Sequence, residues 1–167
     1  PVSALHRSSA VILTRCNFPQ SMSFRRLAAE VPGKPLFISR HAPYVDGIYQ
    51  NGDPVSSCRS DSAHTDLSLL NHAGVMLFSG IARNAEFSRM ATDAGASVLE
   101  AMEFPDHHPY TDRDCQAIIR RVKELSPDYL VTTEKDYIRI MDRLHTPVPL
   151  VVVGVRIDFG PDTERFA

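Results

Sequence analysis

GVMLFSGIARNAEFSRMATDAGASVLEAMEF, residues 74–104, changes rhythm twice. GVMLFS (74–79) is a short apolar run bounded by glycine on both sides, and it reads as a buried strand. Residues 85–94 then place Phe87, Met90, Ala91 and Ala94 at helical spacing. SVLEAMEF (97–104) returns to a strand. Two strands joined through a helix run parallel, because a tight hairpin cannot connect them.

The alternation continues downstream. Residues 112–125 put Cys115, Ile118, Ile119, Val122 and Leu125 on one helical stripe. YLVTT (129–133) is a strand, 134–144 a helix and PLVVVGVRIDF (149–159) a last strand. This β-α-β-α-β-α-β order predicts an α/β fold of three layers, a mostly parallel sheet with helices on both faces. Upstream, AVILTR (10–15) and PLFIS (35–39) read as strands, residues 20–31 as a helix, and APYVDGIYQ (42–50) as an edge strand. QNGDPVSSCRSDSAH (50–64) is polar and turn-rich, and reads as a loop or linker at a domain boundary.

Composition narrows the class. With 167 residues the chain can bury roughly 70% of its unfolded surface, enough for a core of its own. The 43% apolar content excludes a disordered chain. Net charge is −2, with Lys and Arg in excess before residue 60 and Asp and Glu in excess after it, and nothing marks a nucleic-acid binder. Cys16, Cys58 and Cys115 are an odd number without C-x-x-C spacing, which reads as a reduced, intracellular protein. AVILT is too short for the apolar core of a signal peptide, and no run approaches the ~20 residues of a membrane span. The start at Pro1 rather than Met reads as a fragment.

The strand order places three loops at the carboxyl edge of the sheet, where open α/β folds bind ligands. SGIAR (79–83), FPDHHPY (104–110) and TTEKD (132–136) leave successive strands there. Arg83, Asp106, His107, His108, Glu134, Lys135 and Asp136 are thereby candidates to converge. Pro105 and Pro109 stiffen the middle loop. Asp106 and His107 suit acid–base chemistry, which demands a proton carrier within hydrogen-bond reach. The competing readings are a plain polar loop and a metal site, although consecutive side chains seldom all face one ion. Thr111 with Asp114, and Thr133 with Asp136, have the spacing of helix N-caps, and Asn84 also reads as a cap. Thr111 performing that task leaves Asp106, His107 and His108 free. The remaining histidines read as surface or satisfied core, and Arg25 with Arg26 as a solvated helix face rather than a contact for lipid phosphates.

FSGIARNAEF, FPDHHPYTDRD and LVTTEKDYIRI, in this order, resemble the C-terminal half of the tetraacyldisaccharide 4′-kinase (lipid A 4′-kinase) family, and SALHRSSAVILTR resembles the end of that family's nucleotide-binding domain. The resemblance implies a two-domain P-loop kinase that phosphorylates the 4′-hydroxyl of a tetraacylated glucosamine disaccharide 1-phosphate. It implies ATP and Mg²⁺, bound mainly by an N-terminal domain, and a peripheral place on the cytoplasmic face of the inner membrane. By motif position His107 becomes the histidine that pairs with a catalytic aspartate of that domain, with Asp106 beside it. Arg83, His108, Glu134, Lys135 and Asp136, gathered by the three loops at the sheet edge, are read as substrate contacts, and no metal ligand is assigned. The same resemblance divides the chain into a nucleotide-domain tail and interdomain strand (1–49), a linker (50–70) and a C-terminal α/β domain (71–167). Two departures stand out. No G-x-x-x-x-G-K-S/T occurs, so these residues alone are half an active site. Asn84 replaces the proline that follows G-I-A-R in the family. A free-standing α/β binding module without catalysis is the alternative function.

Overall fold

The computed structural model describes residues 5, 7–14, 22–57 and 67–166; Cys16, Cys58, His6 and His64 fall outside them. The chain divides into two compact units, Pro1–Ala42 with Val155–Ala167, and Pro43–Gly154. In the first, β1 (Val11–Leu13) pairs in parallel with β2 (Leu36–Ile38), and α1 spans Met22–Glu30 between them. Lys34 Nζ donates to the carbonyls of Leu5 and Ser8, at 2.6 and 2.8 Å. Arg40 donates to Asp158 at 2.7 Å.

The larger unit is built on a six-stranded sheet, two of whose strands run a few residues beyond its bounds. Its strands are β3 (Arg40–Gln50), β4 (Asp53–Ser57), β5 (Gly74–Ser79), β6 (Ser97–Glu103), β7 (Tyr129–Thr133) and β8 (Leu150–Asp158), in the spatial order β4-β3-β8-β7-β5-β6. β5 pairs in parallel with both β6 and β7, and β7 with β8, as the alternation of strand and helix requires. The crossovers are α2 (Asn84–Asp93), α3 (Asp112–Leu125) and α4 (Glu134–Ile140).

Side-chain alternation splits the core between the two sheet faces. Val75, Leu77, Val131 and Val151 pack with Phe87 and Ala91 of α2. Met76, Phe78, Leu130 and Val152 pack with Cys115, Ile118 and Val122 of α3 and Ile140 of α4. Right-handed crossovers explain the division. The chain steps from β5 outward to β6, then returns past β5 to β7 and on to β8. The reversal of direction moves the following helices to the opposite face.

Two readings need correction. The stretch 50–64 is not all loop, because Asp53–Ser57 forms a strand antiparallel to β3. Asn51 and Gly52, with φ of 53° and 88°, make the turn. Asn-Gly is the pair favoured where both central residues need positive φ, and it was the available signal. With β4 outside it, β3 is an interior strand and not the edge strand predicted.

Candidate active site

β5 and β7 lie side by side, yet the chain leaves them toward opposite faces, to α2 and α4 respectively. This is the topological switch point at which open α/β sheets form a crevice. The loop after β6 is drawn toward it by backbone bonds. Phe104 N donates to Ser79 O at 2.9 Å, and His107 N to Gly80 O at 3.0 Å. A Cβ on Gly80 would stand 3.1 Å from Pro105 O and 3.2 Å from Tyr110 Oη, so glycine lets the loop close over the end of β5. Asn84 adds a second tie. It accepts from Ser79 Oγ at 2.7 Å and donates to Phe104 O at 3.3 Å. The predicted cap role is therefore corrected: Arg83 is the N-cap, without a side-chain capping bond, and Asn84 clamps two loops.

His107 and His108 face different environments. His108 turns inward, stacked on Phe104 at 4.9 Å and edge-on to Tyr110 at 5.2 Å. Its Nε2 sits 3.0 Å from Asp114 Oδ2. The expectation that His108 is free of the helix cap is thus corrected. Thr111 and Asp114 do form a capping box, and His108 completes it. His107 turns outward, with its side chain 73% exposed. Its φ of 60° is left-handed, which costs a non-glycine residue about 1–2 kcal/mol. Its Nδ1 lies 2.9 Å from Arg139 Nη2, and its Nε2 lies 3.8 Å from Asp106 Oδ2, beyond hydrogen-bond distance.

The other candidates are placed as follows. Asp136 is fully buried; Thr133 Oγ1 donates to its Oδ2 at 2.7 Å, and its Oδ1 lies 3.9 Å from Arg139 Nη1. Glu134 accepts from Tyr44 Oη at 3.0 Å. Lys135 is exposed in the first turn of α4, with no hydrogen bond or ion pair among the described residues. Arg83 is exposed and paired with Glu86, and no hydrogen bond or ion pair links it to His107 among the described residues. The loops thus bring together Asp106, His107, Asp136 and, unforeseen, Arg139 and Tyr110. Arg139 had one signal, its i+3 spacing from Asp136 on a helix. Tyr110 is buried, and burial followed by the nearby Asp136 carboxylate pushes its phenol well above the usual range.

Asp114 is held below the ordinary carboxylate range, first by the Thr111 hydroxyl, then by the Thr111 backbone N–H, with His108 assisting. A carboxyl depressed in the folded state adds stability above its unfolded pKa, and that stability is lost as pH falls through the folded value. Asp114→Asn is expected to lower stability at neutral pH and to flatten the acid limb below about pH 4, near the unfolded pKa of Asp. Urea midpoints measured across that limb test this. An acid limb as steep as that of the parent chain would remove Asp114 from the account.

These features define a parallel α/β domain with titratable side chains gathered at a topological switch point. A family model described as LpxK, tetraacyldisaccharide-1-P 4′-kinase, matches residues 1–167. The tetraacyldisaccharide 4′-kinase of Syntrophobacter fumaroxidans is 33% identical over 99% of this chain and 41% of its own length. That of Anaeromyxobacter sp. strain Fw109-5 is 36% identical over 84% of this chain and 36% of its own. The crystal structure of "apo" form LpxK from Aquifex aeolicus in complex with ATP has a similar fold, with a TM-score of 0.54 at 20% identity, over 99% of this chain and 42% of that one. The chain belongs to the tetraacyldisaccharide 4′-kinase family. It spans about two fifths of the length of the relatives it matches.

Proposed function

We propose that this chain is the smaller wall of a kinase active site that transfers the γ-phosphoryl group of ATP to the 4′-hydroxyl of an acylated glucosamine disaccharide 1-phosphate. Residues 1–49 would serve as the tail of the nucleotide-binding domain and the interdomain strand, 50–70 as linker and 71–167 as the C-terminal domain. The observation that carries the reading is His107, outward-facing on a loop pinned at the switch point of a family member. Phosphoryl transfer depends chiefly on positioning and on neutralising charge. The 4′-oxygen bonds to the γ-phosphorus as the bridging P–O bond to ADP breaks, and the hydroxyl proton passes to an aspartate of the nucleotide-binding part. His107 orients that aspartate, with Asp106 beside it. Lys135 and Arg83, both exposed cations, suit the phosphates of the substrates, and His108, Glu134 and Asp136 support the loops that carry them.

Mg²⁺ is implied by the family, but the described residues contain no group of three or more His, Cys, Asp or Glu able to hold a metal ion. No step assigned to this chain runs through it. Among the described residues no helix is long and apolar enough to cross a membrane. We place the protein peripherally on the cytoplasmic face of the inner membrane because its proposed substrate is a lipid whose acyl chains seat in the bilayer.

Radiolabelled phosphate transfer from ATP to the disaccharide lipid tests the reading. The chain alone is expected to give no product, and protein extended to the relatives' full length is expected to give product. Failure of the full-length protein to label the lipid, with ATP and Mg²⁺ saturating, would sink it.

A further inference from the structure

The contact between Arg139 and His107 has a single chemical reading. A guanidinium carries N–H donors and no acceptor. Arg139 Nη2, 2.9 Å from His107 Nδ1, must therefore donate, and Nδ1 must present its lone pair. The neutral ring then carries its proton on Nε2. That nitrogen makes no hydrogen bond among the described residues, since Asp106 Oδ2 stands 3.8 Å away.

Arg139 is itself held from beneath. Asp136 is fully buried, and its Oδ1 accepts no hydrogen bond among the described residues. Arg139 Nη1 lies 3.9 Å from that oxygen. Thr133 fixes the other carboxylate oxygen. A buried carboxylate without a paired cation is costly, so Asp136 and Arg139 hold each other in place. One further turn along, Arg143 Nη2 donates to Arg139 O at 3.3 Å, and its Nη1 faces Asp112 at 3.8 Å.

We propose that Arg139 is a positioning residue that fixes His107 as the Nε2–H tautomer, so that His107 meets the catalytic carboxylate as a hydrogen-bond donor. The proposal deepens the kinase reading above and rests on it for its catalytic consequence. Asp136 anchors Arg139, Arg139 orients the imidazole, and the imidazole orients the base. His107 thereby holds the aspartate ready without competing for the proton of the sugar hydroxyl.

Two measurements test it. On the chain itself, long-range ¹H–¹⁵N correlation spectra of neutral His107 are expected to show an unprotonated Nδ1 and a protonated Nε2. A ring protonated mainly on Nδ1 overturns the proposal, whatever the enzyme's activity. In the full-length kinase, Arg139→Met keeps an unbranched apolar stem and removes the guanidinium donors. It is expected to lower kcat by roughly 10–100-fold, part of the 10²–10⁴ that acid–base assistance supplies, with KM for ATP little changed. Introduced into a His107→Ala background, the same change is expected to cost nothing further, because both act through one ring. An additive loss would assign Arg139 a structural role and overturn the proposal. Full turnover in His107→Ala alone would instead defeat the kinase role of His107, and the spectra would still judge the tautomer.

Discussion

His107→Ala, in protein extended to the relatives' full length, is expected to lower kcat for the proposed phosphoryl transfer by about two to four orders of magnitude, the range of general acid–base assistance, while KM for ATP changes little. The imidazole is exposed, and among the described residues its only hydrogen bond is to Arg139, with Asp106 at 3.8 Å, so its removal leaves no cavity. The backbone makes the experiment more exacting. At φ 60° alanine is strained much as histidine is, whereas glycine is not. His107→Gly is therefore expected to fold no less stably than the parent and to be as inactive as the alanine variant. Measuring kcat and the urea midpoint for both variants separates chemistry from folding. Activity retained in either variant would remove His107 from the mechanism.

Phe78→Ala is expected to have the largest effect on stability, about 3–5 kcal/mol, the usual cost of truncating a buried phenylalanine. Domains of ordinary size have only about 5–15 kcal/mol in total. Phe78 is fully buried near the end of β5, on the face covered by α3 and α4. It meets Tyr110 edge-on at 5.9 Å, and Tyr110 in turn meets Phe104 at 5.0 Å and His108 at 5.2 Å. The cavity would open directly beneath the histidine loop. Urea denaturation of the chain measures the loss, and Phe78→Leu is expected to recover part of it. A loss below about 1 kcal/mol would mean that α3 and α4 collapse onto the vacancy, which a well-packed core resists.

The parallel half of the fold was legible because its strands are short and apolar and its helices amphipathic. GVMLFS and YLVTT have no other way to bury themselves than between two helical layers. The hairpin after β3 is marked in the sequence by Asn51-Gly52 alone, because the residues that follow are polar and an edge strand needs little apolar content. At the site, the sequence brought the three loops to one edge but not the direction each side chain takes. Adjacent histidines looked equivalent; a positive φ at His107 and stacking on Phe104 turn one outward and the other inward. Arg139 lies far from His107 in sequence, and only the crossing of α4 past the β6 loop joins them.

The same hairpin bears on how the protein behaves in concentrated solution. An open sheet has two rims, and a bare rim invites further strands from neighbouring molecules. Here the described sheet ends on one side in β4, a short strand containing Pro54, which has no backbone N–H to offer. A register break between Ile48 and Tyr49, beside that proline, disturbs the ladder a newcomer would have to extend. On the other rim, β6, Glu100 is tied to Arg121 of α3, and the exposed carboxylate of Glu103 at the strand's end would meet its own kind in a second copy laid alongside. Lateral growth into fibrils is thereby discouraged at both margins.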